Sequence, residues 1–232
     1  MVFHINGDDV DVPVEIVNRL FPHQKEGLQW MLDLHGSDTY TGTCTPTSMH
    51  ILLKMSGRCM SGGILGDDMG LGKTFQVCAL LTSLFNHTKS TPSISSSSSF
   101  IQRVLILCPV SVLHNWMREL RDHVAPYVKR LTIDLLNSEV PKPRRLRMLS
   151  DTFLSKCPRI VVSSYQLVAN MIGSFSQPGM VWDYIVLDEG HIIKNPFTQV
   201  TKAMHQFKVR HKLLLTGTPI QVVVCPFSFS LQ

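Results

Sequence analysis

Gly70, Gly72, Lys73 and Thr74, within "GILGDDMGLGKTFQ" (Gly63 to Gln76), have the types and order needed to hold a phosphate group. Glycines let consecutive backbone N–H groups turn inward around an anion, at the positive end of the following helix. In that arrangement Lys73 sits on the β and γ phosphates of a nucleotide, and the Thr74 hydroxyl ligates Mg²⁺. Asp67, Asp68, Met69 and Leu71 complete the expected binding turn. The strict pattern, G-x-x-x-x-G-K-[ST], wants glycine where Asp67 stands, so the textual match is incomplete.

Asp188 and Glu189, in "YIVLDEGH", end an apolar run with adjacent carboxylates. Alternation along a strand sends neighbours opposite ways, so one can serve the metal while the other reaches a hydrolytic water. Asp188 is assigned to Mg²⁺ and Glu189 to the general base. Alone, such a pair is as often a solvated turn; together with Lys73 and Thr74 it points to nucleotide hydrolysis.

These groups need strand ends and a helix start to hold them. The runs "GGILGD", "RVLILCP", "RIVVSSY", "YIVLDE" and "KLLLTGT" are continuous and apolar, as strands of a parallel sheet covered on both faces are. Between them, "KTFQVCALLTSLF" and Leu113 to Val124 have helical spacing, which gives the βαβ rhythm of an α/β fold. A further helix is predicted from Pro22 to Leu34, with proline in its first turn. Residues 36–62 lack periodicity and 87–100 include the low-complexity "KSTPSISSSSS", so both read as surface loop insertions.

The 232 residues, 44% hydrophobic, suffice for one sizeable α/β domain. No run of about 18 apolar residues suggests a membrane span, and acids stand near the amino terminus where a leader carries bases. The expectation is a soluble intracellular protein with no membrane partner. Six cysteines without metal-ligand spacing read as reduced and structural. A net charge of +5 permits a polyanionic partner without demanding one. The absence of a guanine-reading NKxD after the sheet weakens a GTPase reading.

Six ordered stretches, "LFPHQKEGLQWM", "GILGDDMGLGKT", "VLILCPVSVLHNW", "IVVSSYQLV", "VWDYIVLDEGHIIKNP" and "LLLTGTPIQ", together resemble the Q motif and motifs I, Ia, Ib, II and III of the SNF2 ATPases. That family commonly has an acid where the strict loop has glycine, which accounts for Asp67. "DDMGLGKT", "DEGH", "VWDY" and "TGTPIQ" are most similar to the subgroup of Cockayne syndrome protein B and PICH, the excision-repair 6-like translocases. "DEGH" and "TGTP" depart from the DEAD and SAT of RNA helicases.

The resemblance implies a RecA-like P-loop domain, a mostly parallel β-sheet flanked by helices, acting in the nucleus as the ATP-binding lobe of a DNA-dependent ATPase that moves on double-stranded DNA. Chromatin remodelling or DNA repair is the implied work, with chromatin or repair proteins as partners and ATP and Mg²⁺ as cofactors. It implies that Gln24 reads the adenine edge, although by itself Gln24 reads as an exposed helix residue. His191 would couple hydrolysis to Thr216, Gly217 and Thr218, and Asp68 would orient the loop. The implied DNA contacts are Pro109 to Ser111, Ser163, Ser164, Tyr165 and Gln166, and Lys194 with Asn195. The run "PKPRRLR" is either a further contact or a solvated face.

The expected layout is a flanking segment at 1–19, the lobe at 20–221 and a tail at 222–232 whose "VVVCPFSFSLQ" departs from the family text. The family's second RecA-like lobe is not expected in these residues, and its arginine is normally part of the site. The expectation is therefore a MgATP-binding half-motor with slow turnover. The alternative is a non-catalytic module that binds DNA or a partner.

Overall fold

The computed structural model describes residues 2–5, 8–36, 50–52, 54–55, 61–90, 101–217 and 229–230. Two short strands, β1 (Phe3–Ile5) and β2 (Asp8–Val10), pair antiparallel and lead into α1 (Val14–Arg19) and α2 (Pro22–Gly36). Then come β3 (His50–Leu52), β4 (Lys54–Met55), β5 (Ser61–Leu65), α3 (Lys73–Ser90), β6 (Arg103–Cys108) and α4 (Leu113–His123). The rest comprises β7 (Thr132–Leu136), α5 (Lys142–Leu154), β8 (Arg159–Ser164), α6 (Tyr165–Asn170), α7 (Ile172–Phe175), β9 (Trp182–Asp188), α8 (Gln199–Met204), β10 (Val209–Leu215) and β11 (Phe229–Ser230).

The main sheet has the order β3-β5-β10-β9-β6-β8-β7. Every pairing from β5 to β7 is parallel, and β3 joins the edge at β5 antiparallel. The strands alternate faithfully between two cores. Val104, Ile106 and Cys108 of β6, with Tyr184 and Val186 of β9 and Leu213 and Leu215 of β10, face the layer formed by α2, α3 and α4. Leu105, Leu107, Ile185, Leu187 and Leu214 face the other layer, with α6 and α8. Burial on both sides is why these strands read as unbroken apolar runs.

Helix α3 is enclosed more completely than a single apolar flank suggests. Val77 to Phe85 are all buried, including Thr82 and Ser83. Those two hydroxyls donate to carbonyls one turn back, Cys78 O at 2.9 Å and Ala79 O at 2.7 Å, so their burial leaves no open donor. Helix α4 buries Leu113, Trp116, Met117 and Leu120, the i, i+3, i+4, i+7 stripe. Residues 1–19, read as a flank, belong to the core: Phe3, Ile5, Val10 and Ile16 are buried in it. The Gln29 amide grips His4 at both its N–H (3.2 Å) and its carbonyl (3.0 Å).

The stretches expected to be insertions contain regular structure. β3 and β4 lie within 36–62, and α3 continues to Ser90. β11, in the tail, pairs antiparallel with β4. Gly36 ends α2 and Ser61 begins β5; the remaining residues of both stretches, and the tail apart from β11, lie outside the described residues.

Two features fix the sheet. At its lower edge the buried Asp183 of β9 accepts the N–H groups of Gln102 and Arg103, both at 2.9 Å, and its other oxygen lies 3.5 Å from Arg210 of β10. One carboxylate thus sets three strands in register. Above it, α2 lies against β5 at Gly63, where a Cβ would stand 2.5 Å from Trp30 and 2.6 Å from Leu34. Gly63→Ala should overpack this seat and cost about 1–3 kcal/mol, read as a lowered urea midpoint.

His35, near the end of α2, lies 4.3 Å from the His211 ring and 6.4 Å from Tyr184. Burial, reinforced by His211 and His87, lowers its pKa to about 3. A histidine with a depressed folded pKa binds protons better in the unfolded chain. Its contribution is complete above the ordinary value near 6.5 and is lost as pH falls from there toward 3. His35→Phe should flatten the fall in unfolding free energy between pH 6.5 and 4 by on the order of 1 kcal/mol per pH unit, measured by urea titration.

Candidate nucleotide-binding site

The loop from Gly66 to Gly72 leaves the end of β5 and enters α3 at Lys73. Gly70 (φ 86°) and Gly72 (φ 76°) take the left-handed conformation that side-chain-bearing residues resist. α3 is an 18-residue helix whose first turn carries no acid, so its positive end faces the loop undiminished. Lys73 Nζ donates to two carbonyls of the same loop, Asp67 O at 2.7 Å and Asp68 O at 3.0 Å. Thr74 has no side-chain hydrogen bond among the described residues. Met69 and Leu71 are exposed at the loop's tip, and Asp68 is exposed beside them.

Two side chains brace this loop from within. The buried Asp67 carboxylate accepts Gln76 Nε2 at 3.0 Å, which ties the loop to α3. Asp67, expected among the ligand-facing residues, is thus a strut, and Gln76 is its partner, missed in the sequence. Gln24 is buried and not the exposed helix residue of the plain reading. Its Oε1 accepts the Phe21 N–H at 2.9 Å and its Nε2 donates to Leu71 O at 2.9 Å. A Cβ on Gly72 would collide with that amide, so glycine is required there twice over.

Strand register delivers the acid pair to the same edge. Leu215 of β10 is level with Leu65 at the end of β5 and with Asp188 at the end of β9. The loop and the acids are therefore two strands apart, about 10 Å, close enough for Lys73 to act on Asp188 electrostatically. Burial raises the Asp188 pKa; hydrogen bonds from the Trp116 indole and the Glu189 N–H, with the Lys73 charge, oppose this, while the Glu189 charge reinforces it. The distances are 2.8 Å from Trp116 Nε1 to Oδ2 and 2.9 Å from the Glu189 N–H to Oδ1. Tyr165 OH donates to the Asp188 carbonyl at 2.7 Å.

Strand alternation does not extend to Glu189. Asp188 is the last residue of β9, and Glu189 turns left-handed at φ 53°. That turn, rare for a residue with a side chain, sets the direction of the Glu189 carboxylate and stores backbone strain at the site. Glu189 Oε2 lies 3.1 Å from His191 Nδ1, so His191 pairs with the acid two residues before it. The segment after β10 meets the loop side of the site. The Thr216 N–H donates to Leu65 O at 3.2 Å, and a Cβ on Gly217 would lie 3.1 Å from Met69. Thr218 lies outside the described residues.

The residues expected to face nucleic acid divide. Ser163 is fully buried and donates to Leu136 O at 2.8 Å; Ser164 caps α6 by accepting the Leu167 N–H; Tyr165 is buried against Asp188. These three are interior residues, because β8 is paired on both sides, by β6 and β7, and the side chains at its end turn into the fold. Ser111, Gln166, Lys194 and Asn195 are exposed at the ends of β6, β8 and β9, and Pro109 is half-buried. Lys142, Arg144 and Arg147 lie on the open face of α5. Cys108 is an enclosed thiol, pushed up to about 12 by burial and by the nearby Asp188 charge. Among the described residues Cys78, Cys108 and Cys157 are free thiols, no group of three or more His, Cys, Asp or Glu side chains is placed to hold a metal ion, and no helix is long and apolar enough to cross a membrane.

This donor set fits a triphosphate with a hard divalent ion. Lys73 is held only by neutral carbonyls, the Thr74 hydroxyl is open, and Asp188 offers oxygen ligands beside them. A magnesium ion needs no more than one or two such protein oxygens when phosphates and water supply the rest.

The chain matches the SNF2-related domain over residues 23–227. It is 31% identical over 220 residues to Protein CHROMATIN REMODELING 24 of Arabidopsis thaliana, which covers 90% of this chain and 16% of that protein. It is 30% identical over 210 residues to DNA excision repair protein ERCC-6 of Homo sapiens, covering 90% of this chain and 12% of the relative. The chain therefore spans a small part of the length of these relatives. Among solved structures, the Sulfolobus solfataricus SWI2/SNF2 ATPase core in complex with dsDNA is similar at 27% identity and a TM-score of 0.56, covering 90% of this chain and 34% of that one. With a family match over most of its length and a mostly parallel, RecA-like sheet, this chain belongs to the SNF2-related domain family.

Proposed function

We propose that this chain is the MgATP-binding lobe of a DNA-dependent ATPase that moves on double-stranded DNA in chromatin remodelling or repair, in the nucleus. The observation that carries this reading is the common level of Leu65, Leu215 and Asp188, which sets the glycine loop and the acid pair on one edge of the sheet. The names of the relatives, and the duplex bound to the Sulfolobus solfataricus core, support the choice of substrate class.

When bound, magnesium neutralises charge on the β and γ phosphate oxygens. The loop N–H groups and the α3 N-terminus receive the phosphates, and Lys73 Nζ exchanges its two carbonyl partners for phosphate oxygens. The Thr74 hydroxyl and the Asp188 carboxylate hold the ion. The Glu189 carboxylate, aimed by its left-handed turn and steadied by His191, orients a water and accepts its proton. Gln24 keeps the loop shaped and stands beside the adenine position. Ser111, Gln166, Lys194 and Asn195 offer hydroxyl, amide and ammonium groups to a phosphate backbone, a grip that requires no base reading.

These residues form one wall of the site. An arginine from a second lobe contributes about 10³ to 10⁵ in rate in motors of this kind, so the 232 residues alone turn over slowly. Lys73→Ala should abolish the MgATP-induced rise in melting temperature; an unchanged rise removes the loop from the proposal. Hydrolysis measured with and without duplex DNA then separates the readings. A slow basal rate accords with a half-motor, a fast DNA-stimulated rate contradicts it, and binding with no turnover at all assigns the non-catalytic module.

A further inference from the structure

Asp188 is held more firmly than an acid at a strand end needs to be. Its Oδ2 accepts the indole N–H of Trp116, its Oδ1 accepts the N–H of Glu189, and its main-chain carbonyl accepts the hydroxyl of Tyr165. Trp116 and Tyr165 are both buried, 1% and 4% exposed, so each donor is held in place by the core around it. They arrive from different elements: Trp116 from α4, which follows β6, and Tyr165 from the first position of α6, which follows β8. With β9 these strands are consecutive in the sheet, and the two helices lie in opposite layers, so Asp188 is held from both faces.

The chemistry of the grip is selective. An indole N–H only donates, so it cannot compete with the carboxylate for a cation. A carboxylate has about four lone-pair positions, and the indole N–H and the Glu189 main-chain N–H occupy one on each oxygen. The remaining positions stay open while rotation of the carboxylate is blocked. Such orientation of a ligand by buried partners is how outer residues tune a metal site, and their loss commonly costs about 10- to 100-fold in metal affinity.

We infer that Trp116 and Tyr165 are positioning residues that hold Asp188 in the orientation required to receive the nucleotide's divalent ion. This rests on the MgATP reading above and adds to it two residues whose side chains touch neither nucleotide nor metal. Trp116 carries the larger effect, because it fixes the carboxylate itself, whereas Tyr165 fixes the backbone beneath it.

The test uses the full 232-residue chain and titrates Mg²⁺ at constant ATP, following the melting temperature, with ATP in EDTA as the metal-free reference. Trp116→Phe removes the N–H and keeps a buried ring; Tyr165→Phe removes one hydroxyl. Trp116→Phe should raise the Mg²⁺ concentration at half-maximal shift about tenfold and leave the metal-free shift unchanged. Tyr165→Phe should raise it by a smaller factor. Should Trp116→Phe not fold, Tyr165→Phe alone decides. A lower melting temperature of the free protein with an unaltered Mg²⁺ midpoint in both variants means that these residues only pack the core, and overturns the inference while leaving the MgATP reading intact. A wild-type chain with no Mg²⁺-dependent shift overturns both.

Discussion

The level at which three adjacent parallel strands end governs the whole site. β5 carries the glycine loop, β9 carries the acids, and β10 lies between them, with Leu215 opposite both Leu65 and Asp188. A parallel sheet evenly buried on both faces has little in its apolar residues to prefer one register over a slip by two. Polar groups supply the preference at each end. Below, the buried Asp183 engages the start of β6 and Arg210 of β10; above, Thr216 donates to Leu65 O. A displaced β10 would draw Arg210 away from the buried Asp183 carboxylate, leaving it only the two N–H groups at the start of β6, a polar cost that an apolar mismatch does not carry.

Within that frame the loop is braced by polar contacts that are themselves enclosed. Asp67 with Gln76, and Gln24 with Leu71, tie the turn to α3 and α2. Because α2 can approach β5 only over Gly63, the same close packing that builds the core delivers Gln24 to the loop. Core and site share one set of constraints, and the backbone strain at Glu189 is tolerated because the strand before it and the fully buried Ile193 after it are fixed.

Much of this was legible in the sequence. The five apolar runs became β5, β6, β8, β9 and β10, and α2, α3 and α4 formed where periodicity and the proline signal placed them. β7 escaped notice because Thr132 to Leu135 are only half-buried at the sheet edge, so "TIDLL" shows no continuous apolar run. α6, α7 and α8, at four to six residues, are too short to display a helical period. The loop and acid motifs were readable because phosphate chemistry restricts the residue types themselves. What could not be read is direction: that Ser163 and Tyr165 turn inward, that Asp67 ties the loop to α3, and that Glu189 leaves the strand left-handed. Trp116 carried the one usable hint, since a buried indole on an amphipathic stripe must find an acceptor.

The lysine of the glycine loop is never idle. Its ammonium rests on two carbonyls of the turn, so an arriving phosphate exchanges those bonds rather than quenching a bare charge. Phosphate oxygens are charged acceptors and hold an ammonium more strongly than neutral carbonyls do, so the exchange favours an anion. With the anion absent the ammonium stays hydrogen-bonded, so the turn never carries a naked cation.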